Sequence, residues 1–236
     1  MKELRACLVE RVKRAAAVES FRFVLSEKID FSPGQFLQLI FNESEKNNPE
    51  LNKYLSISSS PTKEYIEVTK RISGSSFSRR LLSLKIDEDI LIKIPLGSCV
   101  FREGYQKLAF LIGGIGITPV ISIIEYIIEK KSGTDVYLCY SNKTDSDISF
   151  KKELDYWQSL NKDIKICYTV TDSPPQDKSC IYGFINKELL TEKARDIKER
   201  MLFIFGPPGM VDKMLNISLE LGCKKENIKT ERFLGY

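Results

Sequence analysis

Three glycines, Gly113, Gly114 and Gly116, follow directly on the apolar run Leu108-Ala109-Phe110-Leu111-Ile112, and Thr118-Pro119 comes next. Such a run suits a parallel strand buried on both faces. From Val120 to Lys130 apolar residues recur at helical spacing. Thr118 suits the N-cap and Pro119 the first helical position. Strand, glycine turn and helix start together make a site for phosphate. Glycine lets an anion approach the backbone, and the N–H groups of the first helical turn point at it. The same spacing also fits a plain tight turn between strand and helix. No lysine follows the glycines as in a P-loop, and their spacing is not that of the dinucleotide fingerprint GxGxxG.

Several chemistries are missing. The chain has no histidine, which excludes Ser-His-Asp and Cys-His hydrolases and every histidine-ligated metal. Of the six cysteines (Cys7, Cys99, Cys139, Cys167, Cys180 and Cys223) no two are close enough for a CxxC-type pair. A zinc site or iron–sulfur cluster of local spacing is therefore not expected, and neither is any other metal. Cys139 and Cys167 lie in apolar strand-like runs, where cysteine acts as a small hydrophobe. All six read as structural thiols in a reducing compartment. With no histidine as general base, the difficult chemistry of an enzyme here would belong to a cofactor.

The elements that must position these residues fall into two halves. In the first hundred residues, Ala6–Val12, Phe21–Leu25, Gln35–Ile40, Tyr54–Ser60, Tyr65–Arg71 and Ile90–Ile94 read as short strands. Pro33-Gly34, Pro61 and Pro95-Leu96-Gly97 punctuate them, Asn42–Asn52 reads as a mobile loop, and 74–84 as a short helix. This spacing predicts a small antiparallel barrel. From Tyr105 onward strands (108–112, 136–140, 164–170, 201–205, 228–233) alternate with helices (118–131, 150–160, 186–199, 210–221), which predicts parallel βαβ units with ligands at the strand ends. The boundary falls within Phe101–Gln106, giving domains 1–103 and 104–236. A chain of 236 residues suits either one large domain or two modest ones, and at 42% hydrophobic and 29% charged it can bury a normal globular core. The net charge of +4 is mild and its lysines and arginines are interspersed with acids, so nucleic acid is not an expected partner. Glu125 interrupts the longest apolar run, so no membrane-spanning segment is expected. The charged N-terminus lacks a signal-peptide core, and a cytoplasmic protein is expected.

Six stretches in order, FSPGQF, YLSISSSP, GSSFSRRL, GGIGITP, FGPPGM and ERFLGY, resemble the ferredoxin–NADP reductase family over essentially the whole chain. The resemblance implies an N-terminal antiparallel flavin-binding β-barrel followed by a parallel-sheet α/β domain that binds a nicotinamide dinucleotide. It implies that Lys53-Tyr54-Leu55-Ser56-Ile57-Ser58 is the flavin motif. Lys53 stands where the family grips the flavin phosphate with arginine, keeping the charge but not the bidentate fork. Leu55 stands for the tyrosine that stacks on the ring. Ser56 keeps the hydroxyl that meets the hydride-accepting nitrogen. Gly74, Ser75, Ser76 and Ser78 resemble the second phosphate grip. Gly113, Gly114, Gly116, Thr118 and Pro119 match the dinucleotide loop. Gly206, Pro207 and Pro208 match the loop under the nicotinamide, with Phe205 in place of the usual cysteine. Glu231 falls where the family carries an acid near the reacting rings, for electrostatic tuning or proton delivery; a surface ion pair would explain it equally. Tyr236 falls where plant-type members place an aromatic over the flavin.

The activity implied is hydride transfer between NAD(P)H and a bound flavin, FAD rather than FMN. Electrons then pass to a separate acceptor, because the chain has no cluster-binding cysteines of its own. That acceptor is a ferredoxin-like protein, a partner redox subunit, or a free flavin or quinone. A flavin-free binding module on the same fold is the other reading, favoured by Lys53 and Leu55. By the same resemblance, the third parallel strand ends near the adenosine ribose. There Asp172 stands where NADPH-selective relatives carry arginine, and a carboxylate accepts from free ribose hydroxyls but repels a phosphate. NADH is therefore favoured over NADPH, with Lys143 arguing the other way.

Overall fold

The computed structural model describes residues 1–233; Tyr236 lies outside them. The chain divides into two compact units. One comprises Met1–Phe101 with Thr118–Glu129, the other Arg102–Ile117 with the residues from Lys130 onward.

The first unit is built on an antiparallel half-barrel of six strands. They are β1 (Lys2–Ala15), β2 (Val18–Leu25), β3 (Phe36–Ile40), β4 (Lys53–Ser56), β5 (Ile66–Arg71) and β6 (Asp89–Leu96), with α1 (Ser76–Ser83) between β5 and β6. The sheet order is β4-β3-β6-β1-β2-β5. Period-2 alternation fixes what faces inward. Leu4, Ala6 and Leu8 of β1, Phe21 and Phe23 of β2, Leu37 and Leu39 of β3, and Ile90, Ile92 and Ile94 of β6 form one core, sealed by Phe77 and Leu81 of α1. β6 runs through Pro95-Leu96, where a turn was expected; the turn comes at Gly97, with φ of 92°. The loop 42–52 is held by hydrogen bonds. Asn42 caps a 3-10 turn over Glu43–Glu45, and Asn52 Nδ2 donates to the Glu45 carbonyl at 3.1 Å. Helix α2 (Thr118–Lys130) contributes Thr118–Glu129 to this unit.

The second unit is an all-parallel sheet of β7 (Lys107–Gly113), β8 (Asp135–Asn142), β9 (Ile164–Val170), β10 (Cys180–Tyr182), β11 (Met201–Gly206) and β12 (Ile228–Arg232), with α3 (Lys151–Leu160), α4 (Lys187–Lys193) and α5 (Pro208–Glu220). The order is β10-β9-β8-β7-β11-β12. Leu108 to Ile112 are wholly buried, as expected of a central parallel strand. Ala109, Leu111, Cys139, Leu202 and Ile204 pack under Leu190, Val211 and Met214. Two elements differ from the sequence-based expectation. β10 occupies the end of a stretch read as loop, too short to show a period. The helix expected over 186–199 ends at Lys193 and is followed by a separate 3-10 turn over Ile197–Glu199.

Candidate functional site

In the first unit, β4 pairs with β3 in the register Ser56 to Phe36 and Lys53 to Leu39. Tyr54 is exposed, with its ring edge-on to Phe36 at 5.7 Å, and Leu55 is partly buried against the barrel core. The Ser56 hydroxyl, at the buried end of β4, has no hydrogen-bond partner among the described residues. Ile57 is wholly inside the core. The serines that follow are committed to the fold. Ser58 Oγ donates to Glu67 Oε1 at 3.0 Å and lies 2.7 Å from Thr69 Oγ1. The Glu67 N–H donates to Ser59 Oγ at 2.9 Å. α2 closes over the same turn: Ser122 Oγ donates to the Ser59 carbonyl at 2.7 Å, and the Ser60 N–H donates to Glu125 Oε2 at 2.8 Å.

The buried Glu67 carboxylate anchors this corner through ion pairs with Arg14 at 2.7 Å and Arg22 at 2.8 Å. Leaving those charges unmatched in the interior would be strongly unfavourable.

At the start of α1, Ser75 is the N-cap and accepts from the Ser78 N–H at 3.2 Å. Ser78 is buried, and its hydroxyl accepts from the Ser73 N–H at 3.2 Å. The Ser76 and Phe77 N–H groups of the first turn remain for another acceptor, and nothing stands within 4 Å of a Cβ at Gly74. Arg79 donates to the Gly74 carbonyl and, at 3.4 Å, to Ser76 Oγ. Sequence reasoning missed Lys70. It lies on β5, its ammonium over the Phe77 ring at 5.9 Å, without a carboxylate partner among the described residues. Burial, and then repulsion from Lys53, hold it below the usual lysine range. Lys53 Nζ donates only to the Pro49 carbonyl, at 2.9 Å. The signal in the sequence was a lysine on the same face of β5 as the core residues Ile66 and Val68, just ahead of Gly74.

In the second unit the glycines of two loops lean on one another. A Cβ at Gly116 would meet the Phe205 carbonyl oxygen at 2.7 Å, and one at Gly113 would run into Met210 Sδ and meet Pro207 Cδ at 3.0 Å. Gly206, with φ of 156°, lies within 3.1 Å of the Gly113 nitrogen by the same measure. These close approaches are why glycine is needed there. Gly114 is different: its φ is 52° and nothing stands within 4 Å of a Cβ. Its carbonyl accepts from the buried Tyr140 hydroxyl at 3.1 Å. Pro208 opens α5 with Pro207 as its N-cap. Thr118 and Pro119 are buried at the first turn of α2.

At the strand ends, the Asp172 N–H donates to the Lys143 carbonyl at 2.9 Å, and Thr171 Oγ1 donates to Asp172 Oδ1 at 3.1 Å. Both charged side chains are exposed and the loops that carry them are tied together. Asn142, at the end of β8, is 6% exposed, yet neither its amide oxygen nor its nitrogen has a partner. A buried amide in that condition is unfavourable unless something else fills both roles. No sequence pattern marked it. Glu231, on β12 opposite Phe205, is also without a partner among the described residues, and burial pushes its carboxyl up to about 7. It can therefore carry a proton at neutral pH.

Comparison with known proteins divides the chain near Phe101, with Thr118–Glu129 falling in the second match. Residues 5–101 match the oxidoreductase FAD-binding domain and residues 110–215 the oxidoreductase NAD-binding domain. Nitrate reductase [NADH] 1 of Nicotiana tabacum is 32% identical over 162 residues, 63% of this chain; the match spans 18% of that protein. NADH-cytochrome b5 reductase 1 of Aspergillus clavatus is 28% identical over 233 residues, 92% of this chain and 74% of its own length. Among solved structures, the FAD/NAD-binding domain of nitric oxide dioxygenase from Vibrio cholerae superposes with a TM-score of 0.84 at 20% identity, covering 98% of each chain. No helix among the described residues is long and apolar enough to cross a membrane.

Proposed function

The chain belongs to the ferredoxin–NADP reductase superfamily of flavoproteins, and from that membership we propose that it is an NADH-dependent flavoenzyme that passes electrons to a separate redox protein. The observation that carries the reading is Lys70, half-buried on β5 over the Phe77 ring with no carboxylate partner among the described residues, held below the usual lysine range by burial and then by the Lys53 charge. An anionic group from outside the chain relieves that repulsion, and a flavin dinucleotide brings a diphosphate.

In this reading Lys53, Lys70 and the free N–H groups of Ser76 and Phe77 hold the diphosphate. The Ser56 hydroxyl orients the ring, and Ser58 and Ser59, fixed by Glu67, hold the backbone that carries it. In the second unit the Gly113–Gly116 loop receives the dinucleotide phosphates at Gly114, and the Asn142 amide supplies a buried donor and acceptor beside it. Asp172 accepts from ribose hydroxyls and disfavours a 2′-phosphate. The Glu231 carboxyl holds a proton for delivery near the reacting rings. A bound flavin supplies what the side chains lack, the capacity to take a hydride and release electrons singly. Relatives named for cytochrome b5 and nitrate reduction favour a haem protein as the acceptor.

The test is the colour of the purified protein and its anaerobic reaction with each coenzyme. The expected result is a flavin spectrum that bleaches faster with NADH than with NADPH. A protein that stays colourless after incubation with FAD refutes the reading.

A further inference from the structure

β8 and β9 run in parallel with Cys139 directly opposite Cys167. Paired residues of neighbouring parallel strands project to the same face, and the strands lie about 4.7–4.9 Å apart. That spacing is within the Cα separation a disulfide bridges. Both thiols are free, Cys139 wholly buried and Cys167 partly exposed. Tyr137, two residues before Cys139 and so on the same face, is buried. One sulfur is thus accessible from outside, and a second waits behind it in register.

We propose that Cys139 and Cys167 form an oxidation site for hydroperoxides, with Cys167 as the attacking thiol and Cys139 as the resolving one. The Cys167 sulfur attacks one peroxide oxygen and the O–O bond breaks. The departing alkoxide takes a proton and leaves as alcohol, or as water from hydrogen peroxide. Cys167 becomes a sulfenic acid. Cys139 then attacks the Cys167 sulfur, the S–S bond forms and the S–O bond breaks, and hydroxide leaves as water with the Cys139 proton. The two thiols lose two electrons and the peroxide gains them.

Electrostatics set Cys167 apart from Cys7, Cys139, Cys180 and Cys223. Cys139 across the strands, then the Tyr137 hydroxyl and the Lys193 ammonium, hold it below the usual thiol range against the effect of burial. Burial is the main influence on Cys7, Cys180 and Cys223 and pushes all three up. The thiolate is the nucleophile, so Cys167 reacts first. The proposal does not depend on the flavin reading, since neither cysteine belongs to the residues assigned to it.

The test uses the full-length protein, treated with limiting hydrogen peroxide and alkylated before digestion. The expected product is a peptide linked between Cys139 and Cys167, with an intact mass lower by two hydrogens, and reversal by dithiothreitol. In Cys139→Ala the same treatment is expected to leave Cys167 as a sulfenic acid that dimedone traps, and Cys167→Ser is expected to be spared at Cys139. Circular dichroism of each variant confirms folding. Wild-type protein that yields sulfenic or sulfinic acid at Cys167 with no linked peptide overturns the proposal. Faster oxidation of Cys7, Cys180 or Cys223 overturns it equally.

Discussion

Gly116 and Gly114 lie two residues apart in one loop and should fail in opposite ways. A Cβ at Gly116 would lie 2.7 Å from the Phe205 oxygen, 2.8 Å from its carbonyl carbon and 3.0 Å from the Gly206 nitrogen. All three atoms are backbone of β11, which is paired on both sides by β7 and β12 and cannot swing away. Gly116→Ala must therefore drive the loop off the strand end. Overpacking of this kind costs about 1–3 kcal/mol, which lowers the melting transition by roughly 4–12 °C for a unit of this size. Gly114 has open space around it, and only its φ of 52° resists a side chain. Asparagine tolerates that conformation, so Gly114→Asn should melt within roughly 3 °C of wild type. Its side chain would occupy the space assigned to the dinucleotide, raising the KM for NADH at least about tenfold, or about 1.4 kcal/mol. Scanning calorimetry and steady-state flavin reduction on both variants make the comparison. If Gly116→Ala melts with wild type, the close packing of the two loops is not structural. If Gly114→Asn keeps its KM, the loop does not receive the coenzyme.

Three further outcomes are expected. Lys70→Met should weaken FAD binding by roughly tenfold to a hundredfold, the loss of a charge-assisted contact worth about 1.5–3 kcal/mol; fluorescence titration of the apoprotein measures it, and unchanged affinity removes Lys70 from the site. Burial raises the Glu231 carboxyl to about 7, so the folded state binds the extra proton between its unfolded value and about 7. Its contribution is present at low pH and is lost as pH rises through that window, up to about 3 kcal/mol. Glu231→Gln should flatten this part of the stability–pH curve in urea titrations and remove an ionisation near neutrality from the pH–rate profile; a profile identical to wild type counts against a proton role. Asp172→Arg should shift coenzyme preference towards NADPH by at least about tenfold in kcat/KM, and a wild type that already prefers NADPH would show that Lys143, not Asp172, sets the choice.

Much of the fold was legible because its cores are written in two different periods. Phe21 and Phe23 alternate, whereas Leu108 to Ile112 run unbroken, and these patterns separate a half-barrel strand from a central parallel one. What escaped was short or conditional. β10 has three residues, too few for a period, and is held as a strand by its pairing with Tyr168 to Val170. β6 continues through Pro95 although proline commonly ends a strand; only the register with β3, Phe36 against Leu96, reveals it. Asn142 became visible only in three dimensions, because what marks it is a missing partner, and a sequence does not show which partners are absent; Lys70, on the core face of β5 just ahead of Gly74, was there to be read.

The serine-rich turn after β4 shows how a motif divides its labour. Read as a string, Ser56 to Ser60 offers four equivalent hydroxyls. In the folded unit Ser58 bonds Glu67 and Thr69, Ser59 bonds the Tyr65 carbonyl and the Glu67 N–H, and Ser60 bonds Thr62. The partners of Ser58 and Ser59 are buried or backbone groups, so removing either serine strands a polar atom in the interior. With Ile57 inside the core, Ser56 alone keeps an uncommitted hydroxyl at the strand end. In the function proposed above the neighbours are structural and Ser56 meets the ligand: a hydroxyl held by β4 on one side and by a hydrogen-bonded turn on the other has little freedom to lose on binding.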